Sequence, residues 1–231
     1  MEAIFTTEGL IALATLTLLE IVLGVDNIIF ISIITEKLPQ EKRALARNLG
    51  LAMALVFRVA LLFFITHIIG MTAPLFTLWE FDFSGRDLIL IGGGLFLLAK
   101  STSEIHGKIE GEQHSTSKVK YASMGKILLQ IVLLDVVFSF DSILTAVGLS
   151  DQISIMITAV IISMVVMMVF AGRISSFINR HPTLQILALS FLILIGVMLI
   201  LDGLGHHVPK GYIYFSVAFS LVVELINMKV R

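Results

Sequence analysis

Glu20 and Asp26 stand six residues apart in the apolar run Glu20-Ile21-Val22-Leu23-Gly24-Val25-Asp26-Asn27. Asp135 and Asp141 repeat the spacing in Asp135-Val136-Val137-Phe138-Ser139-Phe140-Asp141-Ser142, at an offset of 115 residues. Carboxylate, amide and hydroxyl oxygens are hard ligands. Glu20, Asp26, Asn27, Asp135, Asp141 and Ser142 together would suit Mn2+, Mg2+ or Ca2+ rather than a thiophilic ion. A charged side chain at the centre of a membrane helix costs roughly 2.5–3.5 kcal/mol on insertion scales. Four such acids, in register, point to use.

Arg58 and Arg173 share the 115-residue offset and are the possible charge partners. Four ionised acids with two arginines leave a charge of −2, which one divalent cation neutralises. In its absence protons can fill the gap, because burial and like-charge crowding favour the neutral acid. Metal binding then releases protons, a physical route to ion–proton exchange. The purely structural alternative has the arginines neutralise the acids and hold the bundle together, although buried ion pairs rarely recover their desolvation cost. The repeated spacing favours function.

Six residues turn an ideal helix through 600°, which sets the two acids of each motif about 120° apart. Either each faces a different neighbour, or the helix unwinds at Gly24 and Ser139. Unwinding would also free backbone carbonyls as cation ligands.

The elements that must position these residues are membrane helices. Of 231 residues, 57% are apolar and 14% charged, and the mean hydropathy is +1.00. Backbone groups in a bilayer must be satisfied within the protein, which leaves helices or closed barrels. The apolar runs far exceed the roughly 9–11 residues of a barrel strand and do not alternate. No cysteine is present, so thiolate sites and disulfides are excluded. The N-terminus carries Glu2 and Glu8 rather than the basic region of a signal peptide, and the first helix is read as retained.

Seven spans are predicted: Gly9–Thr35, Ala44–Gly70, Ser84–Ser101, Lys126–Leu149, Gln152–Phe177, Leu184–Asp202 and Tyr212–Met228. The third is weakest, with only Leu88 to Ala99 between Asp87 and Lys100, and its Gly92-Gly93-Gly94 run would admit a close neighbour. Lys37, Lys42, Arg43 and Arg47 follow the first span, and Lys100, Lys108, Lys118, Lys120 and Lys126 follow the third. Arg180 follows the fifth, and Lys229 and Arg231 follow the seventh. Only Arg86 and Lys210 fall on the other side, so the N-terminus is expected outside and the C-terminus in the cytoplasm.

The expected fold is all-α, with seven transmembrane helices. Residues 1–101 form a first three-helix repeat, 102–125 a cytoplasmic loop, 126–203 a second, inverted repeat, and 204–231 a seventh helix and tail. Three spans per repeat are an odd number, so the second copy enters the membrane from the opposite side. Other polar residues read as bland: Glu224 and Asn227 as an anchor or site, Asp202, His206 and His207 as a solvated outer loop, and His67 as interfacial. Gln130 reads as polar packing or support for the acids, and Met156, Met164, Met167 and Met168 as packing.

At Leu18-Leu19-Glu20 through Asp26-Asn27, and at Leu134-Asp135 through Asp141-Ser142, the sequence resembles the TerC-type integral membrane proteins of bacteria. Ala188-Leu189-Ser190-Phe191-Leu192 and Val208-Pro209-Lys210-Gly211-Tyr212 match as well, and the resemblance covers essentially the whole chain. It looks like the short branch without accessory cytoplasmic domains. The resemblance implies membership of a lysine-exporter-like transporter group, an inner-membrane location and a role in metal homeostasis, chiefly Mn2+ efflux. It makes the six oxygen-bearing residues above the predicted ion site.

The expected activity is therefore transport of a divalent cation, with protons as a second partner, no permanently bound cofactor, no nucleic acid and no enzyme chemistry. A membrane protein that hands metal to secreted proteins without moving it across is one alternative. An intramembrane aspartyl hydrolase using Asp26 and Asp141 is another, weakened by the lack of a Gly-x-Gly-Asp motif. Oligomeric state is left open by the sequence.

Overall fold

A computed structural model of the chain describes residues 6–64, 73–78, 81–110, 122–149 and 152–230. The side chains at 26, 78, 81, 141, 144–149 and 210 lie outside that description, as do His67, the 65–70 end of the second predicted span and the 111–121 part of the polar segment. The described helices are α1 (Thr7–Thr35), α2 (Gln40–Phe63), α3 (Gly85–Ile109), α4 (Met124–Leu149), α5 (Ile153–Asn179), α6 (Pro182–Gly203) and α7 (Lys210–Val230). Between α2 and α3 lies an antiparallel hairpin of β1 (Pro74–Leu78) and β2 (Phe81–Ser84). Among the described residues, six helices are long and apolar enough to cross a membrane.

Local chemistry explains the helix ends. The Thr6 hydroxyl accepts the Gly9 amide at 3.1 Å and starts α1. Arg43 closes its other end by donating to the Glu36 and Leu38 carbonyls at 2.8 and 2.9 Å. Ser84 and Asp87 form a reciprocal capping box that starts α3. Pro182 opens α6 at its first turn. The same helix closes on Gly205 at φ 78°, with His206 N–H on the Leu201 carbonyl and Gly205 N–H on that of Asp202. Only glycine adopts that left-handed cap without penalty.

The chain divides into two compact units. One comprises residues Met1–Gly70 and Tyr121–Ser176 and contains α1, α2, α4 and most of α5. The Ala122 amide donates to the Lys37 carbonyl at 3.1 Å, so α4 begins at the end of the unit where α1 stops. Ile28, Ile31 and Ile34 of α1, Leu51 and Ala54 of α2, Ile131 and Leu134 of α4, and Met164 and Met167 of α5 form its core.

The other unit comprises Met71–Lys120 and Phe177–Arg231, with the hairpin, α3, α6 and α7. Here α3 and α6 touch backbone to backbone. A Cβ on Gly94 would sit 2.5 Å from the Gly196 carbonyl oxygen, and one on Gly196 would sit 2.9 Å from that of Gly94. Small residues are what let membrane helices come so close. Much of α7 is exposed along its length, including Tyr212, Phe215 and Phe219.

The fold is all-α as expected, and its details differ in three respects. The fold is predominantly helical, but an alternating stretch ahead of α3 forms the hairpin, closed by stacked Phe76 and Phe83 at 5.4 Å. The third helix runs to Ile109 instead of stopping at Ser101, so residues 102–109 are helix and not loop. Ser101 and Glu104 are buried, Lys100 pairs with Glu104 at 2.8 Å, and Lys108 donates to Gln185 of α6. Neither motif helix unwinds between its acids: α1 and α4 run unbroken through Gly24 and Ser139. The compact units also cut across the sequence halves, since each takes helices from both.

Gly94→Leu should destabilise the purified protein in detergent by about 1–3 kcal/mol, the cost of overpacking a filled interface. Gly92→Leu, at a position with nothing within 4 Å of a Cβ, should leave the thermal midpoint unchanged or slightly raised. Equal effects of the two changes in a thermal scan would contradict the close α3–α6 contact.

Candidate functional site

Three helices of the first unit converge on one guanidinium. Arg58, on the face of α2 that also buries Leu51 and Ala54, is only 3% exposed. Its Nε donates to Asp135 Oδ1 and Oδ2 at 3.0 and 3.2 Å, and its Nη2 to Oδ1 at 2.7 Å. Its Nη1 reaches Glu20 Oε2 at 2.5 Å. Glu20 of α1 and Asp135 of α4 are each 5% exposed. The planar fork of arginine makes this geometry possible: one edge grips one carboxylate while the other nitrogen turns to a second.

Further groups complete the shell of Asp135. Asn27 Nδ2 donates to its Oδ1 at 3.4 Å, and the Ser139 hydroxyl donates to its Oδ2 at 3.1 Å. Ser139 stands one helical turn after Asp135, where residues four apart meet on one face. The buried Ser142 hydroxyl turns back to the Ser139 carbonyl at 3.3 Å. A small cavity of about 10 Å³ adjoins the cluster, bordered by Asn27, Arg58, Asp135, Met164 and Met167 among apolar neighbours. That is about the room of one water.

Gly24 has a different role from the hinge its position suggested. A Cβ there would lie 2.1 Å from Met167 Sδ, so the missing side chain makes the seat for a methionine of α5. The methionine fills the groove and the helix stays intact.

The six predicted ligands fall into two groups. Glu20, Asn27, Asp135 and Ser142 are buried together in one unit, with Arg58 as their charge partner. Asp26 and Asp141 lie within the unbroken α1 and α4, six residues beyond Glu20 and Asp135, and their side chains are outside the described structure. Among the described residues no three Asp, Glu, His or Cys side chains converge as metal ligands. Arg173 is exposed on α5 and takes no part in the cluster. Among the described residues no second ion pair matches that of Arg58. Sequence reasoning missed the Ser139–Asp135 bond, although the i, i+4 spacing was there to suggest it.

The family model for the integral membrane protein TerC family matches residues 5–231. This chain belongs to the TerC family. It is 54% identical over 218 residues to the UPF0053 inner membrane protein YgdQ of Escherichia coli K12, covering 94% of this chain and 92% of the relative. A UPF0053 protein of Haemophilus influenzae is 50% identical over 232 residues, covering 100% of this chain and 98% of the relative. The UPF0053 inner membrane protein YoaE of Escherichia coli K12 is 45% identical over the whole of this TerC chain, which spans 45% of that relative's length. No solved structure matches. The relatives' printed names and the six long apolar helices agree on a membrane protein.

Arg58→Met should destabilise the protein by about 3–5 kcal/mol, because it strands two buried carboxylates. Adding Glu20→Gln and Asp135→Asn should recover most of that loss in a thermal scan. A triple variant no more stable than Arg58→Met would show that charge is not what the cluster balances.

Proposed function

We propose that this TerC protein moves a divalent metal cation across the inner membrane, with Mn2+ efflux as the leading case, by alternating access around the acids of α1 and α4. The carrying observation is that Glu20 and Asp135, equivalent in the two motifs, are buried together on one guanidinium. A chain that only needed to cross a bilayer would not keep such a cluster in its helices.

The geometry supports an inverted repeat. α4 starts where α1 ends, and Asn27 of α1 meets Asp135 of α4 partway along, as antiparallel neighbours do. In an antiparallel pair meeting there, position 26 lies within about one residue's rise, ~1.5 Å, of the depth of position 135. Position 141 lies equally near the depth of position 20. The acids are thereby grouped by depth as Asp26 with Asp135 and Asp141 with Glu20, one from each helix. Positions 26 and 141 differ in depth by roughly 7.5 Å, against about 3 Å between the carboxylates of an aspartic-protease dyad. That supports transport over hydrolysis, and we read the protein as no enzyme.

With Arg173 outside, four ionised acids and Arg58 carry −3. One divalent cation leaves −1, which a single proton neutralises, so metal movement would be linked to protons. All seven helices cross in this reading, with the N-terminus outside and the C-terminus in the cytoplasm, as the distribution of Lys and Arg suggests. The metal is substrate rather than resident cofactor.

Asp26→Asn or Asp141→Asn should lower Mn2+ movement into vesicles of the purified protein by at least about tenfold, with membrane insertion intact. Flux indifferent to both changes would remove the proposal. Metal bound at the acids without net flux would favour a handover role instead.

A further inference from the structure

We infer that Arg47 of α2 and Arg173 of α5 form a binding site for the phosphate of an anionic phospholipid. The inference rests on the membrane-spanning fold and is independent of ion movement. Arg47 lies against Gly172: its Nη2 stands 3.4 Å, and its Cζ 4.0 Å, from where a Cβ of that glycine would be. The next residue is Arg173, exposed on the surface of the unit. The Arg47 guanidinium therefore reaches α5 one residue before Arg173.

Neither arginine has a counter-charge among the described residues. Arg47 Nε is buried and makes no hydrogen bond, and no ion pair or hydrogen bond reaches Arg47 or Arg173 among the described residues. The positions three and four residues away are Arg43, Ala44, Gly50 and Leu51 on α2, and Val169, Phe170, Ser176 and Phe177 on α5. None is acidic, and α5 contains no acid in its 27 residues. Nearby Arg43 differs, because its donors are committed to the end of α1.

The surroundings select a lipid as the source of the phosphate. Arg47 is seven residues into α2 and Arg173 six before the end of α5, each roughly 9–10 Å in from its helix end. In a bilayer that is the boundary between headgroups and hydrocarbon. Phe170 and Phe177, three residues before and four after, flank Arg173 on its own face, exposed and apolar. Acyl chains have a surface to lie on while the phosphate accepts from both guanidiniums. Basic pockets between membrane helices bind anionic headgroups in this way.

Native mass spectrometry of the purified full chain, titrated with dioleoylphosphatidylglycerol and separately with dioleoylphosphatidylcholine, tests the site. The parent protein should retain the anionic lipid preferentially. Arg47→Gln and Arg173→Gln should each weaken that retention about fivefold, and the double variant should lose the preference. Arg180→Gln should keep it. The doubly conservative Arg47→Lys, Arg173→Lys variant, with charge intact, should fold and still prefer the anionic lipid, more weakly. The assignment is overturned if the double Gln variant prefers phosphatidylglycerol as the parent does, or if inorganic phosphate alone binds as tightly as the lipid. It is equally overturned if Arg173→Gln breaks a dimer while lipid retention is unchanged, which would give the arginine to a second copy, for instance to its Glu224.

Discussion

A guanidinium removed from water must find its counter-charge within the protein, and Arg58 finds two. Its bonds to Glu20 and Asp135 tie α1, α2 and α4 at one point deep in the first unit. Three formal charges in a low-dielectric interior are tolerable only while all three stay together, because removing any one leaves the others unpaired. The remaining polar groups follow from that constraint. Asn27 donates to Oδ1 and Ser139 to Oδ2 of Asp135, beside the arginine's own bonds. Such a cluster specifies which helix faces meet, which an all-leucine interface would leave loosely defined.

Elsewhere the interior is held by shape. Between α2 and α4, a Cβ on Gly50 would lie 2.7 Å from Ile131 Cδ1. In the second unit the α3–α6 contact is closer still, glycine carbonyl against glycine. Lipid tails are as apolar as leucine, so helices in a membrane gain little from hydrophobic burial and depend on close packing of this sort. The exposed Phe, Leu and Val residues around both units are then the lipid-facing surface, not a defect.

Much of the helical architecture was legible because length and hydropathy are local properties of the chain. The acids were legible because charge in an apolar run is costly wherever it occurs. What escaped depends on partners far away in sequence. Gly24 looked like a hinge, and only the position of Met167, on another helix, makes it a socket. The extension of α3 through residues 102–109 carries His, Lys, Ser and Glu, which read as loop until Ser101 and Glu104 are seen to be buried. Arg173 looked like the equivalent of Arg58 because a repeat preserves spacing; whether a side chain meets an acid depends on what packs opposite it. The hairpin had alternation in its sequence, but it was overlooked as a connection between spans.

Among the matched positions at which the two motifs differ, α1 has Gly24 beneath a methionine thioether where α4 has Ser139 bonded to its own aspartate. In a transporter of the kind proposed, a flawless duplication would give two opposite openings related by rotation and equally populated. Here the place on α1 is filled by a soft thioether, while the matched place on α4 carries a hydroxyl held on its own carboxylate. In the transport cycle proposed above, that inequality would give the two opposite openings unequal weight before any gradient acts.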